Sequence, residues 1–160
     1  MSVIKDLVAQ IQEGGPIPFE VFHAAALSGP GGFYSSDEIR STKGGDFLTS
    51  PEVSPLFGET LAEMVKQEIA RVGTNGFTLV EVAGGSGSLL RPLLEKLGMI
   101  DCWAVEVNPG ARRQLSELID PSQVVSEVSD LPEEFNGVVI ANELLDNLPV
   151  AIATRTADGW

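Results

Sequence analysis

The second half of the chain alternates short apolar runs with amphipathic ones. Phe77 to Val82, Cys102 to Val107, Gln123 to Ser126 and Gly137 to Ala141 have the length and apolar content of strands, while Ser88 to Leu97 and Pro109 to Ile119 read as helices. Strands separated by helices of about 10 residues pair in parallel through right-handed crossovers, so the pattern predicts an α/β fold with a doubly wound sheet. A fifth strand is expected from Val150, and Asp158-Gly159 reads as the tip of a hairpin.

Before Gly73 the pattern is helical and loop-like. Ser2 to Gln12 is a first helix, with Val3, Ile4, Leu7, Val8 and Ile11 at helical spacing, and a second follows Pro18 through Phe19, Val21, Phe22, Ala25 and Leu27 until Ser28-Gly-Pro-Gly-Gly32 stops it. Tyr34 to Pro51 is polar, and Pro55 to Arg71 carries Leu56, Phe57, Leu61, Met64, Val65 and Ile69 on one helical face. Residues 1–75 are thus expected to form a helical and loop region, and residues 76–160 the sheet domain.

Composition narrows the partners. The 160 residues, 43% of them hydrophobic, suffice for one main core. No apolar run reaches the roughly 18 residues of a membrane span, and the basic-then-apolar order of a secretory signal is missing. Asp6 and Glu13 in the opening helix are unlike an arginine-rich transit peptide, so a soluble cytoplasmic protein is expected. Asp and Glu number 23 against 10 Lys and Arg, a formal charge of −13, which repels a phosphate backbone and argues against a nucleic-acid partner. The same charge suits a cationic partner as well as plain solubility. Cys102, the single cysteine, reads as a small buried hydrophobe, and His23, the single histidine, as a core or surface residue.

The chemistry concentrates at strand ends. Thr78-Leu-Val-Glu-Val-Ala-Gly-Gly-Ser-Gly-Ser88 runs a strand straight into glycines and then a helix. Such a turn lets a ligand approach the backbone without meeting a Cβ, with free helix N–H groups beneath it; the alternative is an ordinary tight strand-to-helix turn. Glu106 ends the next strand about 20 residues on, where a carboxylate accepts the two hydroxyls of a ribose or is simply a solvated charge. A dinucleotide fingerprint asks for a third glycine where Leu90 stands, so NAD fits poorly. S-adenosylmethionine carries no phosphate and a positive sulfonium, which gains from a carboxylate such as Glu81. After the fourth strand, Asn142, Glu143, Asp146 and Asn147 are expected at the crevice lined by the glycine turn, as grips for a cationic acceptor or as helix caps.

Gly45-Asp-Phe-Leu-Thr-Ser-Pro-Glu-Val-Ser54, Phe57-Gly-Glu59, Glu81-Val-Ala-Gly-Gly-Ser-Gly-Ser88, Val105-Glu-Val107 and Ala141-Asn-Glu-Leu-Leu-Asp-Asn-Leu-Pro149 together resemble the MidA-type methyltransferases from about Phe19 onward. These include a mitochondrial protein arginine methyltransferase that assists assembly of respiratory complex I. The resemblance implies a Rossmann-like class I methyltransferase fold with a shortened sheet, S-adenosylmethionine as donor, and an arginine-bearing protein as acceptor. It places Asp46, Thr49, Ser50, Pro51 and Glu52 over the active site. Glu81, Gly85 and Gly87 fall at the donor, Glu106 on its ribose, and Asn142, Glu143 and Asp146 near the reacting groups. Thr49-Ser-Pro-Glu52 also has the form of a capped helix start. The chain departs from the family at Ala83, where a glycine is usual, and at Gly84, where proline is common.

For transfer to a guanidinium, Glu52, Glu143 or Asp146 would hold the acceptor by charge-assisted hydrogen bonds and take up the released proton; no metal is called for. The rival readings are a methyltransferase fold that has lost catalysis and serves as a binding module, and a nicotinamide-dependent oxidoreductase. A homodimer through an open sheet edge is a further expectation.

Overall fold

The computed structural model describes residues 2–35 and 48–159, which fall into two compact units, Met1–Ser36 with Leu145–Trp160, and Asp37–Leu144. In the smaller unit, α1 (Val3–Gly14) starts at extended Ser2 and stops at Gly15, whose φ of 84° only glycine adopts freely. Helix α2 (Phe19–Leu27) follows Pro18. The glycine loop after α2 folds back on it, with Phe33 N–H donating to the Ala26 carbonyl and Tyr34 N–H to that of Leu27. The Tyr34 hydroxyl donates to Asn147 Oδ1 at 2.6 Å, which ties the later segment of this unit to the loop. No strand forms from Val150: residues 150–155 have no regular structure and are exposed, and a Thr156–Gly159 bridge alone marks the expected hairpin tip. A strand exists only through a pairing partner, and this segment belongs to the helical unit instead of the sheet.

The larger unit is the predicted α/β layer. After α3 (Ser50–Val53) and α4 (Leu56–Val72), the strands β1 (Phe77–Val82), β2 (Asp101–Val105), β3 (Val124–Val125) and β4 (Asn136–Ile140) form one wholly parallel sheet in the order β3-β2-β1-β4. Helix α5 (Leu90–Leu97) links β1 to β2, and α6 (Pro109–Leu115) lies between β2 and β3. The chain reverses its direction of travel across the sheet between β1 and β4, which makes their carboxyl ends the topological switch point.

One cluster joins these layers: Phe77 and Leu79 of β1, Cys102 and Ala104 of β2, Ile140 of β4, Ala62 and Val65 of α4, Leu90 and Leu93 of α5, and Leu115 of α6. Burying each large aliphatic side chain is worth about 1.5–3 kcal/mol. Close approach of α4 to α5 requires Gly58, since a Cβ there would stand 2.6 Å from Pro92 Cγ and 2.9 Å from the Leu89 carbonyl oxygen. At the amino ends of the strands Asp101 accepts from the Thr78 hydroxyl at 2.7 Å and from the Gln123 side-chain amide, which clips β1, β2 and the approach to β3 together. The opposite, carboxyl ends lead into the glycine turn after β1 and the Glu106 loop after β2. Among the described residues no helix is long and apolar enough to cross a membrane.

Candidate functional site

The turn after β1 runs from Ala83 to Ser88. Ala83, Gly85 and Gly87 all have left-handed backbones, with φ of 61°, 53° and 76°. Ala83 N–H donates to the Val105 carbonyl at 2.8 Å, and Gly87 N–H to that of Gly84 at 3.0 Å. Arg91 N–H donates to the Gly87 carbonyl at 2.9 Å, which joins the turn to the helix, and α5 runs from Leu90, two residues later than expected. Two of the glycines answer to packing: a Cβ on Gly87 would meet Leu118 Cδ1 at 2.7 Å, and one on Gly84 would meet Leu115 Cδ1 at 3.2 Å and Glu81 Oε2 at 3.3 Å. The turn thus presses on the end of α6 as well as opening its backbone.

Glu106 follows β2 directly and is buried, 8% exposed. Its Oε2 accepts from Gly85 N–H at 2.9 Å and its Oε1 from Asn108 N–H at 2.8 Å. It thus faces the glycine turn, with carboxylate lone pairs left for a further donor. Asn108, which the sequence reading passed over, aims the loop: its side chain accepts from Ala111 N–H at 2.9 Å and caps α6 ahead of Pro109. The Asn-Pro pair at a helix start is the signal that marks it. Arg112 Nη1 donates to the carbonyls of Glu106 and Val107 and so closes the same loop from behind.

Glu81 lies at the carboxyl end of β1, in register with Ala104 of β2 and Ile140 of β4. It is 4% exposed, and its Oε2 is buried without a hydrogen-bond partner. Burial first, then repulsion from Glu106, pushes its carboxyl up to about 8, so it carries a proton at neutral pH. Burial, with the neighbouring Glu81 and Asp101 charges, also pushes the Cys102 thiol up to about 12, which fits an inert core residue.

Helix α3 has the capped form expected of Thr49-Ser-Pro-Glu52. Thr49 is the N-cap of a capping box, Pro51 is buried in the first turn, and Thr49 N–H donates to Glu52 Oε2 at 3.3 Å. The other oxygen, Glu52 Oε1, accepts from the Ser86 hydroxyl of the glycine turn at 3.3 Å. Ser50 is exposed, and Asp46 lies outside the described residues. Beyond β4, Asn142 is half-buried and Glu143 exposed, 3.5 Å apart between Nδ2 and Oε1, with Glu143 left-handed at φ 54°. Glu52, Glu81, Gly85, Gly87 and Glu106 thus gather at one turn, and Asn142 and Glu143 follow the end of the strand paired with β1. Asp146 sits on a 3-10 turn, Leu145–Asn147, in the smaller unit.

Two acids, Glu81 and Glu106, border the turn where a dinucleotide would set its diphosphate, and Arg112 is occupied with carbonyls. The Glu106 carboxylate repels a diphosphate there, while the protonated Glu81 offers it no cation. An orphaned buried carboxyl oxygen beside a positive-φ turn suits a cationic, phosphate-free adenosyl group instead. A parallel sheet with a glycine turn after its first strand and an acid after its second defines a Rossmann-like, nucleoside-cofactor-binding domain.

The family model described as "Putative S-adenosyl-L-methionine-dependent methyltransferase" matches residues 56–160, and the chain belongs to that family. The mitochondrial protein arginine methyltransferase NDUFAF7 of Danio rerio is 28% identical over 193 residues, covering 99% of this chain and 45% of that protein. Its Drosophila melanogaster homologue is 29% identical, covering 93% and 41%. A crystal structure from Burkholderia thailandensis bound to S-adenosyl-homocysteine superposes with a TM-score of 0.74 at 32% identity, covering 92% of this chain and 42% of that one. A second, native crystal structure from the same organism gives 0.72 at 32% identity. The fold is accordingly the Rossmann-like methyltransferase fold, and the chain spans less than half the length of these relatives. The cytoplasmic expectation is corrected by the same findings, because the curated relatives are named as mitochondrial proteins. Asp6 and Glu13, on which it leaned, lie in helix α1.

Proposed function

We propose that the chain is the donor-binding part of a methyltransferase that moves a methyl group from S-adenosylmethionine to an arginine side chain of a protein. The observation that carries this reading is the carboxylate of Glu106 turned onto the Gly85 amide, with the orphaned Glu81 oxygen beside the same turn. In this reading Gly85 and Gly87 give the adenosyl group its backbone approach, Glu106 accepts its ribose hydroxyls, Glu81 faces its positive end, and Asn142 borders the donor. S-adenosylmethionine supplies a methyl carbon that is already electrophilic. The protein's share is alignment and exclusion of water.

Glu143 is the exposed carboxylate beyond β4 suited to hold a guanidinium in paired charge-assisted hydrogen bonds and to receive its proton. Asp146 in the smaller unit is the alternative carboxylate, and Asp46, Thr49, Ser50 and Pro51 supply the acceptor-side segment. The arginine acceptor is supported by the names of the relatives and by the net charge of −13. The partners are an arginine-bearing protein and, along the β4 edge, a second copy of the chain.

Ala83, a methyl group in a left-handed position of the turn, favours the second reading of a fold that has lost catalysis. Calorimetry decides between them. The donor reading expects S-adenosylmethionine and S-adenosylhomocysteine to bind and NADH not to, with Glu106→Gln weakening the bound ligand roughly tenfold, since hydrogen bonds to a charged group are worth about 1.5–3 kcal/mol. Absence of binding at millimolar donor would sink it.

A further inference from the structure

Glu52 is a carboxylate that joins α3 to the glycine turn. Its Oε2 caps the Thr49 N–H at the start of α3, and its Oε1 accepts from the Ser86 hydroxyl, 34 residues away in the chain. Ser86 sits between Gly85, whose N–H is held by Glu106, and Gly87, whose left-handed backbone is packed on Leu118. Two acids therefore grip the turn, Glu106 at Gly85 and Glu52 at Ser86. Each oxygen of the half-buried Glu52 carboxylate already holds a donor of the protein, one in α3 and one in the turn, so Glu52 ties the two together whatever its remaining lone pairs accept.

We infer that Glu52 is a positioning residue, a latch that couples α3 to the glycine turn through the Ser86 hydroxyl. Ligand held on the turn and order in α3 then rise together. By linkage, the factor by which ligand stabilises α3 equals the factor by which an intact latch tightens ligand. The inference rests on the reading that the turn holds the donor, and its test separates the two.

Hydrogen exchange of the 48–57 segment is followed in the full chain with and without saturating S-adenosylhomocysteine. Wild type is expected to show at least roughly fivefold slower exchange there when ligand is bound, within the ordinary range of coupling between sites. Ser86→Ala is expected to lose that protection and to bind the ligand weaker by a similar factor. Ser86→Thr, which keeps the hydroxyl, should restore both, a rescue that general loss of packing would not give. Equal protection in Ser86→Ala, or no restoration by Ser86→Thr, overturns the latch.

If the chain binds no S-adenosylhomocysteine, the donor reading fails while the latch is still read without ligand. Ser86→Ala, Glu52→Gln and the double variant are compared by urea unfolding. Effects on the unfolding constant that fall short of multiplying by roughly fivefold support the contact, and simple multiplication overturns it.

Discussion

Ala83 holds a left-handed backbone at φ 61° in a turn whose other left-handed positions, Gly85 and Gly87, are glycines. The Cβ conflict of that conformation costs an L-residue roughly 1–2 kcal/mol. Ala83→Gly is therefore expected to stabilise the protein by about 1 kcal/mol after the larger freedom of glycine in the unfolded chain is subtracted. That corresponds to a melting temperature about 2–4 °C higher by circular dichroism. An unchanged or lower melting point would show the turn unstrained. Glu81 makes the pH argument. Its folded carboxyl is raised to about 8 from an ordinary 4.5, so the native state holds a proton that the unfolded chain gives up between those values. The contribution of Glu81 is complete below about pH 4.5, declines as pH rises through the window at up to about 1.4 kcal/mol per unit, and is flat above about 8. Urea titrations across that window should show a shallower decline for Glu81→Gln than for wild type. Parallel curves would mean that Glu81 is ionised in the folded protein.

Strand pairing is most exposed to test at Gly137, where β4 lies against β1. A Cβ at this position would run into the Thr78 carbonyl, the deepest such conflict among the described glycines. Gly137→Ala should cost at least about 2 kcal/mol, within the range for overpacking, whereas Val139→Thr, two residues along at an exposed position, should change stability by less than about 0.5 kcal/mol. Wild-type urea stability in Gly137→Ala would mean that β4 can shift away from β1. The strands themselves were legible because Phe77 to Val82 is a nearly continuous apolar run and is buried as one. Their edges moved for local reasons: the Pro121–Gln123 3-10 turn leaves β3 only two residues, and tightening after Leu115 ends α6 early. The acids at the ends of β1 and β2 were legible from spacing. The Ser86–Glu52 contact and the seating of Gly87 on Leu118 were not, since each joins residues far apart in the chain through packing that no local pattern encodes.

At the scale of the whole chain, the outer edge of β4, unpaired among the described residues, competes with a strong like charge. Among the described residues β4 pairs as a strand with β1 alone, and Asn136-Gly-Val-Val-Ile140 contains neither the charge nor the proline that usually blunts an edge. Val139 is 55% exposed on it. Two copies meeting along β4 would each bring a net charge of −13, and that repulsion acts over about 10 Å at 0.1 M salt but only about 3 Å at 1 M. Edge pairing between copies is therefore expected to strengthen as salt rises, the opposite of an interface held by ion pairs. Light scattering should show a dimer fraction that grows with salt in the wild type and is absent in Val139→Lys, which places a charge on the edge. A monomer at both salt concentrations would show that β4 does not pair with a second copy, and a dimer that dissociates as salt rises would assign the contact to charged groups elsewhere on the surface.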